Sequence, residues 1–158
     1  MKPETALLEL SVMNATYDKH DFTDTVVDAI KRGIPPELVT RLEELWKKTK
    51  VVAGEVVNIG KIIVAKIMEF LKNNPGMSLG IALGAALGAM VSLIPLLGPL
   101  IAPLAAAVAA IYGGLVGTSI DDGDVSASLM ASAISLANKF LKLFADIINS
   151  VASYWNDK

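Results

Sequence analysis

The chain has 158 residues, a formal net charge of −2 at pH 7 and no cysteine. That near-neutral balance excludes a strongly basic nucleic-acid-binding surface, the missing cysteines exclude a disulfide frame and thiol chemistry, and the length suits one domain. Hydrophobic residues make up 53% of the chain and the mean hydropathy is +0.53, high for a water-soluble domain.

Charge is unevenly placed. Residues 1–72 carry 11 basic and 11 acidic groups, residues 121–158 carry 3 and 5, and residues 73–120 carry none, nor any histidine. The start, Met1-Lys2-Pro3-Glu4, is not followed by an unbroken apolar run, which predicts no cleaved secretory signal. Residues 4–16 predict a short helix with Leu7, Leu8, Leu10, Val12 and Met13 as apolar positions. Asp21 or Thr23 can cap a second helix carrying Phe22, Val26, Val27 and Ile30. Gly33 and the Pro35-Pro36 pair stop it, and both prolines suit the first turn of the next helix.

From Leu38 the stripe at 38, 42, 45, 49, 52, 56, 59 and 63 repeats every 3.5 residues, which predicts one long heptad-patterned helix over 36–73. The Val-rich part, 51–64, has strand propensity, but the sustained period favours helix. Gly54 and Gly60 weaken that helix by roughly 1 kcal/mol each relative to Ala. Asn74-Pro75-Gly76 closes it.

The uncharged stretch then predicts a hydrophobic helical hairpin over 76–120. Gly76, Gly80, Gly84 and Gly88 recur every fourth residue, and Ser92 extends the row. Such a groove lets a second helix backbone approach closely, as small-residue rows do in lipid. Pro95, Gly98, Pro99 and Pro103 form the expected hairpin turn. The second arm has small rows of its own: Ala102, Ala106, Ala110 and Gly114, and Ala105, Ala109, Gly113 and Gly117. Arms over 77–93 and 100–120 would span ~25 and ~31 Å of helix, against a hydrocarbon core of ~30 Å. The first arm is therefore marginal, and a re-entrant wedge is the alternative to two spans. Lys61, Lys66 and Lys72 precede the hairpin, which places both of its ends on the side of entry.

After Ile120, residues 121–124 form a polar loop, and Asp124 or Ser126 can cap a last amphipathic helix over 124–156. Its apolar stripe is Leu129, Ala133, Leu136, Phe140, Phe144, Ile147, Val151 and Tyr154 or Trp155, opposite a Ser- and Asn-rich face.

A hydrophobic Ala- and Gly-rich hairpin between amphipathic helices resembles the pore-forming domains of colicins, and the hairpin-plus-coiled-coil layout of type III secretion translocators. Residues 38–155 share the layout and residues 76–120 the composition. The phrase Asn74-Pro75-Gly76 with Gly80, Gly84 and Gly88 is also similar to small bacterial inner-membrane proteins with a glycine-zipper tail. The resemblance implies an all-α fold and membrane insertion, and carries no individual functional residue.

Catalytic patterns are missing. His20, the single histidine, lies between charges in a loop, without a second histidine or a cysteine to complete a zinc set. Asp121, Asp122 and Asp124 lack calcium-loop spacing, and the glycine row lacks the Lys-Ser/Thr of a phosphate loop. The expectation is a non-enzymatic protein with no cofactor, no metal, no small-molecule substrate and no nucleic-acid partner. Its expected partners are a lipid bilayer and copies of itself: an all-α, membrane-located protein that oligomerises to form a pore or permeabilise a bilayer, possible in a soluble form before insertion. Two other readings remain open, a non-permeabilising membrane anchor or scaffold with a monotopic hairpin, and a soluble helical interaction protein with the hairpin buried.

Overall fold

The computed structural model describes residues 1–113 and 124–156. These residues are mostly helical. α1 spans Pro3–Asp18, α2 Phe22–Lys31, α3 Pro36–Trp46, α4 Ile59–Asn73, α5 Leu79–Leu93, α6 Gly98–Tyr112 and α7 Asp124–Ser150. Strands β1 (Lys50–Val52), β2 (Glu55–Val57) and β3 (Trp155–Asn156) form a small antiparallel sheet in the order β2-β1-β3.

Local chemistry explains the first elements. Asp21 caps α2, accepting a hydrogen bond at Oδ1 from the Thr23 amide at 3.0 Å. Gly33 ends it at φ +86°, where a side chain would be strained. Pro36 opens α3, a position whose missing amide hydrogen breaks no intrahelical bond.

The long helix expected over 36–73 is not one helix. It is interrupted after Trp46 by the β1–β2 hairpin and resumes at Ile59. Val52 pairs with Glu55, leaving Ala53 and Gly54 as a two-residue loop. Their φ values of +51° and +84° are the two positive angles of a type I′ turn, whose twist matches the flanking strands. The heptad stripe therefore breaks. Leu38, Leu42 and Leu45 are buried on α3, and Ile59 and Ile63 on α4, but Thr49 and Val56 are exposed. Gly60 sits where the two pieces meet. Its amide donates to the Lys48 carbonyl at 3.0 Å, and a Cβ on it would collide with the Leu45 carbonyl.

The last helix also ends earlier than expected. α7 stops at Ser150, a 3-10 turn covers Ala152–Tyr154, and Trp155 turns into β3 opposite Val52. Leu129 and Leu136, expected on the inward stripe, are exposed. Ala133, Phe144, Ile147 and Val151 of the expected stripe are buried, and Ala137, Leu141 and Ile148 complete the inward side.

All of these elements surround one apolar core. It includes Leu10 from α1, Leu42 from α3, Ile62, Ile67 and Phe70 from α4, Leu83 and Met90 from α5, and Phe144 from α7. Among the described residues no polar or charged residue is buried in it. α5 makes the most extensive helix–helix contact in the fold, with α7. Buried small side chains stand on both helices, Ala82, Ala85, Ala86 and Ala89 on one and Ala133, Ala137 and Ala145 on the other, so their axes can approach closely.

Candidate functional site

The two arms of the uncharged stretch occupy opposite environments. α5 is a core helix. Of the glycine row, Gly80 and Gly84 are buried in it, whereas Gly76 precedes the helix and is exposed, and Gly88 and Ser92 are exposed on it. The split follows from geometry: four residues overshoot one helical turn by ~40°, so the row winds from the inside of the bundle to the outside between Gly80 and Ser92. A Cβ on Gly76 or Gly88 would meet no other atom within 4 Å, so neither is a packing contact in this fold.

The turn is shorter than expected. Only Pro95–Leu97 form it, as one 3-10 turn, and α6 starts at Gly98. Pro95 opens the turn and is exposed; Gly98 is half-buried. Pro99 lies in the first turn of α6, and Pro103 lies inside that helix. Pro103 cannot donate to the carbonyl of Pro99 four residues earlier, but both residues are exposed, so water can satisfy that oxygen.

α6 sorts its side chains by size. Ile101, Leu104 and Val108 are buried on it, continuing at three- and four-residue spacing the buried Ile94 and Leu97 of the preceding corner, and the helix packs against α3 and α5. Ala102, Pro103, Ala106, Ala109 and Ala110 are exposed, as is Gly113, which ends the helix at φ +62°. Ala106 and Ala110, expected as helix-packing positions, thus form an outward apolar face rather than a contact between the arms. Gly114 and Gly117 lie outside the described residues.

The segment Pro95–Tyr112 is long and apolar enough to cross a bilayer, with 18 residues and a mean hydropathy of 1.8, yet only 22% of it is buried. α5, with 15 residues, is ~22 Å long, short of a ~30 Å hydrocarbon core.

Side-chain contacts fasten both ends of this region. Asn149 of α7 donates from Nδ2 to the carbonyl of Leu93, the last residue of α5, at 2.8 Å. Upstream, the Tyr17 hydroxyl donates to Glu69 Oε2 at 2.7 Å, joining α1 to α4. Lys66 Nζ stands 3.7 Å from Glu69 Oε1 and 5.6 Å from the Tyr17 ring centroid. Lys61 Nζ donates to the Asp18 carbonyl at 3.2 Å. Two of the three lysines preceding the apolar stretch are thereby attached to α1. Burial, then the hydrogen bond and negative charge of Glu69, raise the Tyr17 phenol well above its ordinary pKa of 10.0. His20 is exposed, with its ring 5.1 Å from that of Tyr17.

Sequence reasoning missed the size sorting on α6 and the role of Asn149. The first was legible as Ile, Leu and Val every three to four residues among alanines; the second had no local signal, because its partner lies 56 positions away. Neither a family model, nor a curated protein, nor a solved structure matches this chain.

Proposed function

We propose that this chain is a membrane-inserting helical protein whose described form is its soluble state, and that the hairpin over 76–120 enters the bilayer and oligomerises to permeabilise it. The observation that carries the reading is the exposure of α6. An apolar helix in a soluble core is normally covered, and here an uncharged face of alanine and proline is turned outward. Such a face can bind lipid without prior unfolding. α5 follows in this reading, because it is joined to α6 by one short turn and packs against it. Once α5 leaves α7, Gly80 and Gly84 become available to another helix, from the same chain or a second copy, and complete a glycine-zipper contact with Gly88 and Ser92.

The test is liposome flotation combined with dye release, using the full chain. Flotation with leakage supports the reading; flotation without leakage selects a monotopic anchor or scaffold. The burial of α5 in a core free of charge favours, as a second reading, a soluble helical interaction protein, which would neither float nor release dye.

A further inference from the structure

We propose that the groove between the end of α3 and the start of α6 seats the head groups of anionic phospholipids, so that the soluble chain docks on a negatively charged bilayer with the outward face of α6 against it. The inference rests on the membrane reading and adds the kind of bilayer and the edge of the protein that meets it. The groove has a volume of about 500 Å³, and its charged lining is Arg41, Glu44, Lys47 and Lys48. Pro103 lines the groove and also belongs to the exposed alanine and proline face of α6, so the two surfaces are continuous.

Charge selects the partner. Residues 73–120 carry none, so any attraction of the α6 face to a charged surface has to come from a neighbouring element. The end of α3 supplies it. The Lys48 amide donates to the Leu45 carbonyl at 3.0 Å, and the Lys48 carbonyl accepts from the Gly60 amide at 3.0 Å, which fixes the backbone there. The side chains of Lys47 and Lys48 are left exposed, and among the described residues neither ammonium has a hydrogen-bond or ion-pair partner. Arg41 is paired with Glu44 at 2.9 Å, and Glu44 is the one carboxylate among the described lining residues. Two unpaired positive charges therefore edge the apolar face. A folded protein, or a second copy of this chain, fits such a surface poorly. Protein interfaces are depleted in lysine and alanine and depend on large aromatic or arginine anchors. The exposed side chains Ala102, Pro103, Ala106, Ala109 and Ala110 have no hydrogen-bonding group and no large anchor. A bilayer meets both parts, with acyl chains against the apolar face and head-group phosphates at the ammoniums.

The full chain is titrated by flotation on vesicles of phosphatidylcholine alone and of phosphatidylcholine mixed with phosphatidylglycerol. The expected result is tighter binding to the mixed vesicles by about 30-fold, at about fivefold for each lysine, and a loss of that preference at high salt. The double variant Lys47→Gln/Lys48→Gln should lose most of the preference and bind phosphatidylcholine as wild type does. Lys139→Gln/Lys142→Gln removes the same net charge from exposed positions on α7, outside the groove, and should keep the preference. Glu44→Gln frees Arg41 and removes the carboxylate, and should tighten binding to the mixed vesicles by about fivefold, a gain that a loss of folding would not produce. Equal affinity for the two kinds of vesicle, or equal losses in the two double variants, would overturn the proposal and leave the membrane reading standing. Failure to float on either kind would overturn both. A dimer in solution that Lys47→Gln/Lys48→Gln dissociates would assign the groove to a second copy instead.

Discussion

Asn149 Nδ2 donates to the Leu93 carbonyl oxygen at 2.8 Å, joining the end of α7 to the end of α5. The bond satisfies one of the carbonyls that a helix leaves without an intrahelical partner at its C-terminus. It also fixes the start of the corner that leads into α6. The Asn149 side chain is exposed, so the bond competes with water, and Asn149→Ala should lower stability by about 0.5–1 kcal/mol in urea unfolding. Under the proposed function the same variant frees the corner, and its dye release should be faster than wild type at equal dose. Slower release with unchanged binding would contradict that role.

The meeting of α3 and α4 depends on one missing side chain. A Cβ on Gly60 would lie 2.8 Å from the Leu45 carbonyl carbon and 3.1 Å from the Lys48 nitrogen, and closer still to the Leu45 oxygen. These are backbone atoms and cannot rotate aside. Gly60→Ala should therefore destabilise the protein by at least about 2 kcal/mol, despite the better helix propensity of alanine. Chemical denaturation measures this; a neutral or stabilising effect would mean that α3 and α4 can separate at little cost.

The glycine row divides into two kinds of position. Gly88 is exposed in mid-helix with open space around it, so Gly88→Ala should stabilise the soluble fold by about 1 kcal/mol. Gly84 is buried, and Gly84→Leu should destabilise by about 1–3 kcal/mol through overpacking. The informative variant for the membrane state is Gly88→Leu. It leaves the soluble core untouched, and if the row packs helices in lipid it should reduce dye release about tenfold, the equivalent of ~1.4 kcal/mol of lost packing. Full leakage with Gly88→Leu would remove the zipper from the account.

Alkaline stability reads the α1–α4 link. Tyr17 is held protonated in the folded chain, its pKa raised above the ordinary 10.0 by burial and by Glu69. The folded state then binds more protons than the unfolded state above that pH. The contribution is fully present below pH 10 and is lost as pH rises through the folded-state value. Unfolding midpoints should fall above pH 10, and the fall should be smaller for Tyr17→Phe. At neutral pH that variant should lose about 1 kcal/mol with its hydrogen bond to Glu69. Parallel declines in the two proteins would show that Tyr17 does not carry the effect.

Helix starts and stops were legible where the chemistry is local. Asp21, Gly33 and the Pro35-Pro36 pair each act within a few residues of themselves. The β1–β2 hairpin was harder to read because Val52, Val56, Ile59 and Ile63 fit a 3.5 period as well as a strand. The usual Asn-Gly turn signal is replaced by Ala53-Gly54, and alanine seldom takes φ +51°. β3 has two residues, and its pairing with Val51 and Val52 is set by tertiary position rather than by the run around Trp155.

At the candidate site, the absence of charge located both apolar arms, and their expected starts at 77 and 100 lie close to Leu79 and Gly98, whereas α6 ends at Tyr112 and the expected end at Ile120 lies outside the described residues. It could not tell which arm is inside. α5 and α6 are apolar on every side, so polarity gives neither an inward direction, and burial follows side-chain size instead. Ile101, Leu104 and Val108 turn in while Ala102, Ala106 and Ala110 turn out.

The outward face of α6 is the centre of the account, and its contact with lipid can be measured at one atom. The natural chain has no cysteine, so Ala106→Cys accepts a single environment-sensitive fluorophore at an exposed position. With vesicles containing nitroxide-labelled acyl chains, the account predicts a blue shift and strong quenching of that probe. Unchanged emission without quenching, in a protein that remains folded, would contradict it.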